Sequence, residues 1–237
     1  QTAIIGADNW HFYAIDGAGK QVWQYESVHG STCGAAADID GDGKQEVIAG
    51  TEYYWWHVVK PDAAPLFKYS TRGGPHANAA TAANLDGNAT RCVVFGGADG
   101  NVHVLGPDGK LRWLFNTGDE VTSVAAADLN GDGRDEVLAS SMSFNVYAID
   151  AAGELLWRRD LGSEVTSLVG IADEGAGHII LGCRDGGVYV LDATDGDVIS
   201  GLQTAPPVAL AGGVGRGDVR VAAISTADGD VRLVAME

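Results

Sequence analysis

The sequence contains no hydrophobic run approaching the roughly 20 residues that a membrane-spanning helix needs. It also has few basic residues, because 15 Lys and Arg stand against 32 Asp and Glu and give a formal net charge of -17. This charge argues against a nucleic-acid backbone or an anionic lipid surface as a partner, and we expect no membrane insertion. Cations, neutral sugars and basic proteins remain compatible with it.

Cysteine and proline are scarce as well. The three cysteines, Cys33, Cys92 and Cys183, are too few and too scattered for a disulfide framework or a thiolate zinc site, so we expect free, mostly buried thiols. The 34 glycines against 6 prolines predict many tight turns. The first residue is Gln1 and the only methionines are Met142 and Met236, which indicates a processed chain or one cut from a longer protein.

A sequence pattern returns along the whole chain at a spacing of roughly forty to fifty residues, the range typical of propeller repeats. One marker position carries, in order, Tyr13, His57, His103, Tyr147, Tyr189 and Arg232. A second marker follows it after a turn, as Trp23, Phe67, Trp113, Trp157 and, weakened, Ile199. Each unit shows short strand-like segments between turns rich in Gly and Asp, and no helical periodicity appears.

Four antiparallel strands per unit, repeated without helices, predict an all-β fold: a β-propeller with about six blades in a single domain, residues 1–237. The predicted units are residues 2–26, 31–70, 77–117, 121–161, 165–203 and 207–237. The first and last units supply only three strands each, and these duplicate rather than complement one another. The alternative is therefore a piece of a ring with seven or eight blades.

Two acidic loops follow the first strand of their units with the same oxygen spacing. Side-chain oxygens at loop positions one, three and five, glycines at the sharp turn and a carboxylate at position nine suit calcium. The predicted ligands are Asp38, Asp40, Asp42 and Glu46 in the second unit, and Asp128, Asn130, Asp132 and Glu136 in the fourth. The alternative is an acidic turn without an ion.

A third copy of the loop, in the third unit, offers Asn84, Asp86 and Asn88. It has fewer charges, and Cys92 replaces the glutamate, so we expect weaker binding or none. A bound ion is expected to stabilise these loops rather than to catalyse, because protein atoms fill its ligand shell.

The pattern Asp-x-Asp-Gly-Asp-Gly-x-x-Glu before a strand resembles the FG-GAP or VCBS calcium-loop repeats of extracellular propellers. The segments 13–23 and 146–157 look like the outer part of pyrroloquinoline-quinone-type propeller repeats. The resemblance implies the fold, calcium as cofactor and an extracellular, cell-surface or periplasmic location, more than an activity. The adjacent cysteine pair of quinone dehydrogenases is missing, so no quinone cofactor is expected.

The loops at the other end of the strands are predicted to form a ligand-binding face. They stop repeating in the first three units and become rich in aromatic residues, whereas units four and five have plain loops there. Aromatic rings stack on sugars and polar tips fix hydroxyl groups, so we expect a glycan or protein ligand on this face. The predicted ligand-binding residues are Trp10, Tyr54, Trp55, Arg72 and His76. For Trp10, Trp55 and Trp56, packing within the core is the alternative.

Two further functions stay open. The residue types of His29, Tyr54, Arg72 and His76 are those that propeller-based rhamnogalacturonan and ulvan lyases use for proton abstraction beside a uronate. The chain is alternatively an architectural propeller of a larger surface protein. The sequence favours non-catalytic binding.

Overall fold

The computed structural model describes residues 2–71, 73–172, 177–214 and 220–236. These residues form 22 strands, β1 to β22, in six antiparallel sheets, and they contain no helix. In particular, the described part of the chain holds no helix long and apolar enough to cross a bilayer. Strands that are consecutive in the chain are neighbours in every sheet, as in the blades of a propeller.

The second to fifth sheets have four strands each. Their bounds are β4 Ser31–Ala37, β5 Glu46–Thr51, β6 Trp55–Val59 and β7 Pro65–Ser70; β8 Ala77–Ala83, β9 Cys92–Gly97, β10 Asn101–Leu105 and β11 Leu111–Asn116; β12 Val121–Ala127, β13 Glu136–Ser141, β14 Asn145–Ile149 and β15 Leu155–Asp160; β16 Val165–Ile171, β17 His178–Cys183, β18 Gly187–Asp192 and β19 Val198–Gln203.

The first and last sheets have three strands each: β1 Thr2–Ala7, β2 His11–Asp16 and β3 Gln21–Glu26, and β20 Pro207–Val214, β21 Arg220–Thr226 and β22 Val231–Met236. The pairing register identifies which of the four strand positions is missing from the first sheet. Ile5 of β1 pairs with Tyr13, as Ala49 of β5 pairs with His57. Thus β1 is a second strand, and the first sheet lacks the first strand that the complete sheets have.

The first strands of the sheets, β4, β8, β12, β16 and β20, pack side by side in chain order, and we refer to them as the inner strands. The six sheets therefore form a β-propeller, which confirms the fold predicted from the repeat. The inner strands are also joined by hydrogen bonds from the second residue of one strand to the first carbonyl of the next. These bonds run from Asn78 to Val121 (3.0 Å), from Thr122 to Val165 (2.8 Å) and from Thr166 to Pro207 (3.1 Å).

The tryptophan marker of the sequence repeat is a contact between neighbouring blades. The ring of Trp113 lies against Gly153 in the next sheet, and its Nε1 donates to the Ala151 carbonyl at 3.3 Å. Gly153 has a φ of 92°, and a Cβ there would come within 2.9 Å of the ring. Trp157 repeats the arrangement with the Ala193 carbonyl at 2.8 Å.

The residue at the tyrosine marker position makes a second contact between neighbouring blades. The two residue types that form this contact differ from pair to pair. Tyr25 Oη lies 2.9 Å from Nδ1 of the buried His57 in the next sheet. Tyr69 and His103 form the same pair at 3.2 Å. In the following pair the first residue is Phe115, which has no hydroxyl group, and Tyr147 stands in place of the histidine. His57 and His103 are therefore packing residues between neighbouring blades.

Connections between strands alternate between the two ends of each blade and define two faces. The acidic face carries the loops between first and second strands and the turns between third and fourth strands. The aromatic face carries the turns between second and third strands and the connections between sheets. Cys92 and Cys183 are buried and Cys33 is half-buried, and all three are free thiols, as expected.

Stability should depend on pH through His57. Burial, with a smaller effect of Lys68, lowers the pKa of this imidazole to about 4 from 6.5. The unfolded chain then binds a proton that the folded chain does not, so the free energy of unfolding should fall by up to about 3 kcal/mol from pH 6.5 down to pH 4. Denaturant titrations across this range should show the fall.

The double variant Tyr25→Phe/His57→Tyr copies the Phe115–Tyr147 pair and should lose this contribution to the pH dependence. The single variant Tyr25→Phe keeps the buried imidazole and serves as the control. Equal pH slopes in the double variant and the parent protein would contradict the assignment.

Candidate functional site

The acidic loop of the second sheet holds three carboxylates close together. One oxygen from each of Asp38, Asp40 and Asp42 lies within 4.8 Å of the others. The two oxygens of Asp38 accept hydrogen bonds from the backbone N–H groups of Gly41 (2.8 Å) and Gly43 (2.9 Å), both at positive φ. Asp40 accepts from the Asp42 N–H at 3.2 Å. The oxygens are thus held in place by the loop's own backbone.

The glutamate at loop position nine is buried and accepts a backbone hydrogen bond from the second residue of the loop. Glu46 is almost fully buried and accepts the N–H of Ile39 at 2.9 Å, and Ile39 is itself fully buried. Glu136 accepts the N–H of Leu129 at the same distance. Burial raises the pKa of both carboxyl groups. The compact carboxylate group contains the three aspartates and not Glu46, so coordination by these glutamates stays a prediction.

The acidic loop of the fourth sheet has the same internal bonding. Asp128 accepts the N–H groups of Gly131 (2.7 Å) and Gly133 (2.9 Å). Asn130 accepts from the backbone of Asp132 and donates through Nδ2 to Glu136 at 2.8 Å. Both loops present side-chain oxygens with backbone support, which is the donor chemistry that a hard cation such as Ca²⁺ prefers.

In the acidic loop of the third sheet, a basic side chain of the protein pairs with the aspartate. Arg112 donates to both carboxylate oxygens of Asp86, at 2.8 and 2.6 Å, and this hydrogen bonding holds the pKa of Asp86 below its usual value. The side chains of Asn84 and Asn88 accept backbone N–H groups within the loop. These contacts make the loop a poorer fit for a metal ion. In the second sheet, Lys60 contacts one oxygen of Asp40 at 3.0 Å, and the exposed Lys44 contacts one oxygen of Asp42 at 3.2 Å. Within the described part of the chain, no lysine or arginine pairs with Asp38.

On the aromatic face, one residue of the turn between second and third strands has a left-handed backbone in each sheet. Three sheets use glycine, namely Gly100, Gly186 and Gly229. The others use Trp10 (φ 69°), Tyr54 (φ 52°) and Phe144 (φ 67°). For a residue with a side chain this conformation costs about 1–2 kcal/mol. The three side chains are exposed by 54%, 51% and 45%, so none of them belongs to the buried core.

The same hydrogen bond shows that these turns are equivalent. The carbonyl of the left-handed residue accepts a backbone N–H from the residue that follows the fourth strand. The bonds run from Ser27 to Trp10, from Thr71 to Tyr54, from Thr117 to Gly100, from Leu161 to Phe144 and from Thr204 to Gly186. The aromatic residues therefore project from one face at matching points of three blades.

Four rings of the second blade and its flanking connections form a cluster on the aromatic face. His29 contacts Tyr53 and Tyr54 with ring centroids 5.7 and 6.2 Å apart, and Tyr53 contacts His76 at 5.1 Å. The Tyr54 ring also lies against Gly74, where a Cβ would come within 2.8 Å of the ring. Two imidazoles thus flank two phenol rings that are about half exposed.

The structure places His29 against Tyr53 and Tyr54 and His76 against Tyr53, a grouping that the sequence did not predict. Arg72 lies outside the described residues. Trp55 is 41% exposed at the start of β6, and neither it nor Trp10 has a described ring contact with the cluster. Trp56 is fully buried against Phe95, so the packing alternative is confirmed for Trp56 and wrong for the two exposed tryptophans.

Sequence reasoning missed Tyr53 and Phe144. The expectation of a plain loop in the fourth unit was wrong, since Phe144 stands at the repeat position of Trp10 and Tyr54. Alignment of the turns between second and third strands would have found it. Next to Phe144 lies an open pocket of about 430 Å³ that also contacts Arg184, which is paired with Glu164.

Comparisons with known proteins show the fold and little more. A family model described as the lambda-carrageenase β-propeller domain matches residues 114–206, less than half of the chain. A search of curated proteins found no match. Among solved structures, BBS1N in complex with ARL6DN is similar over 98% of this chain and 74% of that one, with 14% identity and a TM-score of 0.80. Sqt1 of Saccharomyces cerevisiae is similar over 99% and 68%, with 15% identity and a TM-score of 0.81.

Replacing Phe144 by glycine should be tolerated unusually well. The substitution removes the left-handed strain of about 1–2 kcal/mol, which offsets the lost contacts of a half-exposed ring. We expect the free energy of unfolding to stay within about 1 kcal/mol of the parent value in denaturant titrations. The control is Phe95→Gly in the core, which should cost about 3–5 kcal/mol or more. A loss above about 2 kcal/mol for Phe144→Gly would show that the ring is needed for packing.

Proposed function

We propose that this protein is a non-catalytic, calcium-stabilised β-propeller that binds a glycan on its aromatic face. The observation that carries the proposal is the set of three exposed aromatic residues in left-handed turns. Glycine takes the same position in the other three sheets, so the backbone does not need Trp10, Tyr54 or Phe144. Strain that persists without a packing reason is a sign of function.

A neutral sugar is the ligand chemistry that fits this face best. Aromatic faces stack on pyranose rings, and the phenol and imidazole tips of the cluster offer hydrogen bonds to hydroxyl groups. The net charge of -17 disfavours sulfated or uronate-rich polymers. The family model at residues 114–206 describes the propeller domain of a lambda-carrageenase, which supports a polysaccharide context in general but not the preference for a neutral sugar.

A polysaccharide lyase is the second candidate, and the ring cluster is the observation that favours it. His29 contacts both Tyr53 and Tyr54, and His76 contacts Tyr53. Imidazole and phenol groups in contact can accept and return a proton at a carbon beside a carboxylate. The high negative charge of the protein weighs against a uronate substrate, which is why binding is placed first.

We further propose that Ca²⁺ occupies the acidic loops of the second and fourth sheets and stabilises them. Asp38, Asp40 and Asp42 would supply oxygens in one loop, and Asp128, Asn130 and Asp132 in the other. Exposed loops of this kind bind calcium weakly, in the range of about 10⁻⁴–10⁻³ M for extracellular modules. A site with an affinity in that range fills only where calcium is abundant, so the calcium proposal goes together with a proposed location outside the cytoplasm.

The ligand hypothesis predicts saturable retention on a neutral polysaccharide. Trp10→Ala and Tyr54→Ala should each weaken binding about tenfold or more, because each removes a stacking surface. Affinity electrophoresis over a panel of neutral and uronate-bearing polysaccharides measures this. Leu156→Ala is the control, since this exposed leucine lies on the outer strand β15.

The same panel of polysaccharides distinguishes glycan binding from lyase activity. New ultraviolet absorbance from unsaturated sugar ends, abolished in His76→Ala while binding persists, would establish the lyase instead. Absence of retention and absorbance with every polysaccharide would reject both and favour a protein ligand or an architectural role.

Calcium should raise the melting temperature, since a ligand bound only by the folded state adds about 2.7 kcal/mol at a hundred times its Kd. The double variant Asp38→Asn/Asp128→Asn should lose this response, because each exchange removes a carboxylate from a loop. Asp86→Asn should keep it, since Arg112 already occupies that carboxylate. Differential scanning calorimetry with calcium, with magnesium and with a chelator measures these shifts in melting temperature. No shift with calcium, or an equal shift with magnesium, would contradict the proposal.

A further inference from the structure

The open pocket of about 430 Å³ beside Phe144 lies on the aromatic face, where the fourth and fifth sheets meet. Three segments form it: the turn after β13, the connection between β15 and β16, and the turn after β17. The lining residues are Phe144, Gly162, Ser163, Glu164, Arg184 and Asp185. An exposed aromatic ring in a left-handed turn therefore lines the same cavity as three charged side chains.

The ion pair of this pocket is not part of the repeat. In five sheets, the residue after the second strand donates its backbone N–H to the carbonyl of the residue before the first strand. These bonds run from Glu52 to Gly30, from Ala98 to His76, from Met142 to Glu120, from Arg184 to Glu164 and from Ala227 to Pro206. Among these described pairs, only Arg184 and Glu164 carry opposite charges. The other sheets make the same backbone bond without an ion pair, so the fold does not require one here.

The ion pair is fixed and still has hydrogen-bonding capacity. Arg184 donates through Nε and Nη2 to the two carboxylate oxygens of Glu164, both at 2.6 Å, which fixes the plane of the guanidinium group. Its side chain is nevertheless 67% exposed, and its remaining N–H groups have no partner among the described residues. One oxygen of Asp185 accepts the N–H of Gly187 at 3.0 Å, and the other accepts no hydrogen bond from the described part of the chain.

The charges of the pocket select the class of ligand. Two carboxylates, Glu164 and Asp185, stand against the single guanidinium group of Arg184, so a sulfate or a uronate would be repelled. Hydroxyl groups both donate and accept, so neighbouring hydroxyl groups can bind the N–H groups of Arg184 and the open oxygen of Asp185 together. The ring of Phe144 offers an apolar surface for stacking. An uncharged pyranose ring with adjacent hydroxyl groups meets all three conditions.

We propose that this pocket is a second glycan-binding site, separate from the cluster of His29, Tyr53, Tyr54 and His76. The third sheet, whose turn carries Gly100, lies between the two sites. This inference rests on the proposed glycan function and specifies its ligand as a polymer of neutral pyranose units. A polymer held at both sites binds more tightly than one sugar ring at either site, because the second contact forms within a complex that already exists.

The test is titration of the full chain with a neutral galactan, glucan and mannan, each as the polymer and as its disaccharide. Nuclear magnetic resonance reports the two sites separately, through the Nε–H signal of Arg184 and the imidazole signals of His29 and His76. At least one disaccharide should shift both sets of signals. Affinity electrophoresis should show that the matching polymer binds at least tenfold more tightly than the disaccharide.

Variants assign the pocket. Phe144→Gly, which should keep the stability of the protein, should abolish the response of the Arg184 signal and leave the imidazole responses intact. It should also weaken polymer binding about tenfold or more, because one of two linked contacts is lost. The double variant Glu164→Gln/Arg184→Met should weaken polymer binding in the same way while Phe144 is retained. Met142→Ala is the control, since Met142 is 42% exposed in the same turn and does not line the pocket.

The outcomes distinguish a failure of this inference from a failure of the proposed function. If the parent protein binds a polymer while the Arg184 signal stays unmoved, or if Phe144→Gly binds the polymer as tightly as the parent, the second site is overturned and glycan binding stands. Loss of the imidazole responses in Phe144→Gly would show one shared site and would also overturn it. If the parent binds none of the polymers or disaccharides, the glycan function fails and this inference fails with it.

Discussion

No sheet of this propeller can bury its own two faces, and the rest of the structure depends on this constraint. The second and third strands of the complete sheets are buried almost throughout, and neighbouring blades provide that cover. Aromatic side chains make the contact specific. Trp113 and Trp157 each reach a turn in the next blade, and Tyr25 and Tyr69 each meet a histidine there. The apolar clusters accordingly span two sheets at a time.

Because the core lies between the blades, both ends of the strands are left free to carry different chemistry. On the acidic face the loops are linked from blade to blade by backbone hydrogen bonds. They run from Arg91 to Ile39, from Asp135 to Asn84 and from Gly177 to Leu129. This linkage joins the acidic loops of neighbouring blades, including the third loop, in which Arg112 pairs with Asp86. Among the described turns between second and third strands, no backbone hydrogen bond of this kind joins neighbouring blades. These turns vary in side chain while they keep the same hydrogen bond within the blade.

The repeat in the sequence was sufficient to predict the propeller, because a marker that recurs in every unit reports the same inter-blade contact each time. The alternating acidic residues likewise predicted the carboxylate group of Asp38, Asp40 and Asp42. The local pattern could not show that Glu46 is engaged by the Ile39 backbone, since that depends on how the loop folds onto the core. Nor could it show that Tyr53 lies between two histidines, because these come from separate connections. Trp55 and Trp56 are adjacent in sequence, yet only the latter is buried, since neighbouring strand residues point to different sides.

The two faces are separated by the length of the strands, and this separation limits how they can influence one another. Strand β5 begins at Glu46 on the acidic face, and the turn that holds Tyr54 follows its other end. Its six residues span about 20 Å at about 3.3 Å per residue. An ion among Asp38, Asp40 and Asp42 therefore cannot contact a ligand held by Tyr54 and His76. Calcium can act on such a ligand only through the folding of the blade, so its effect on affinity should disappear wherever the blade is already fully folded.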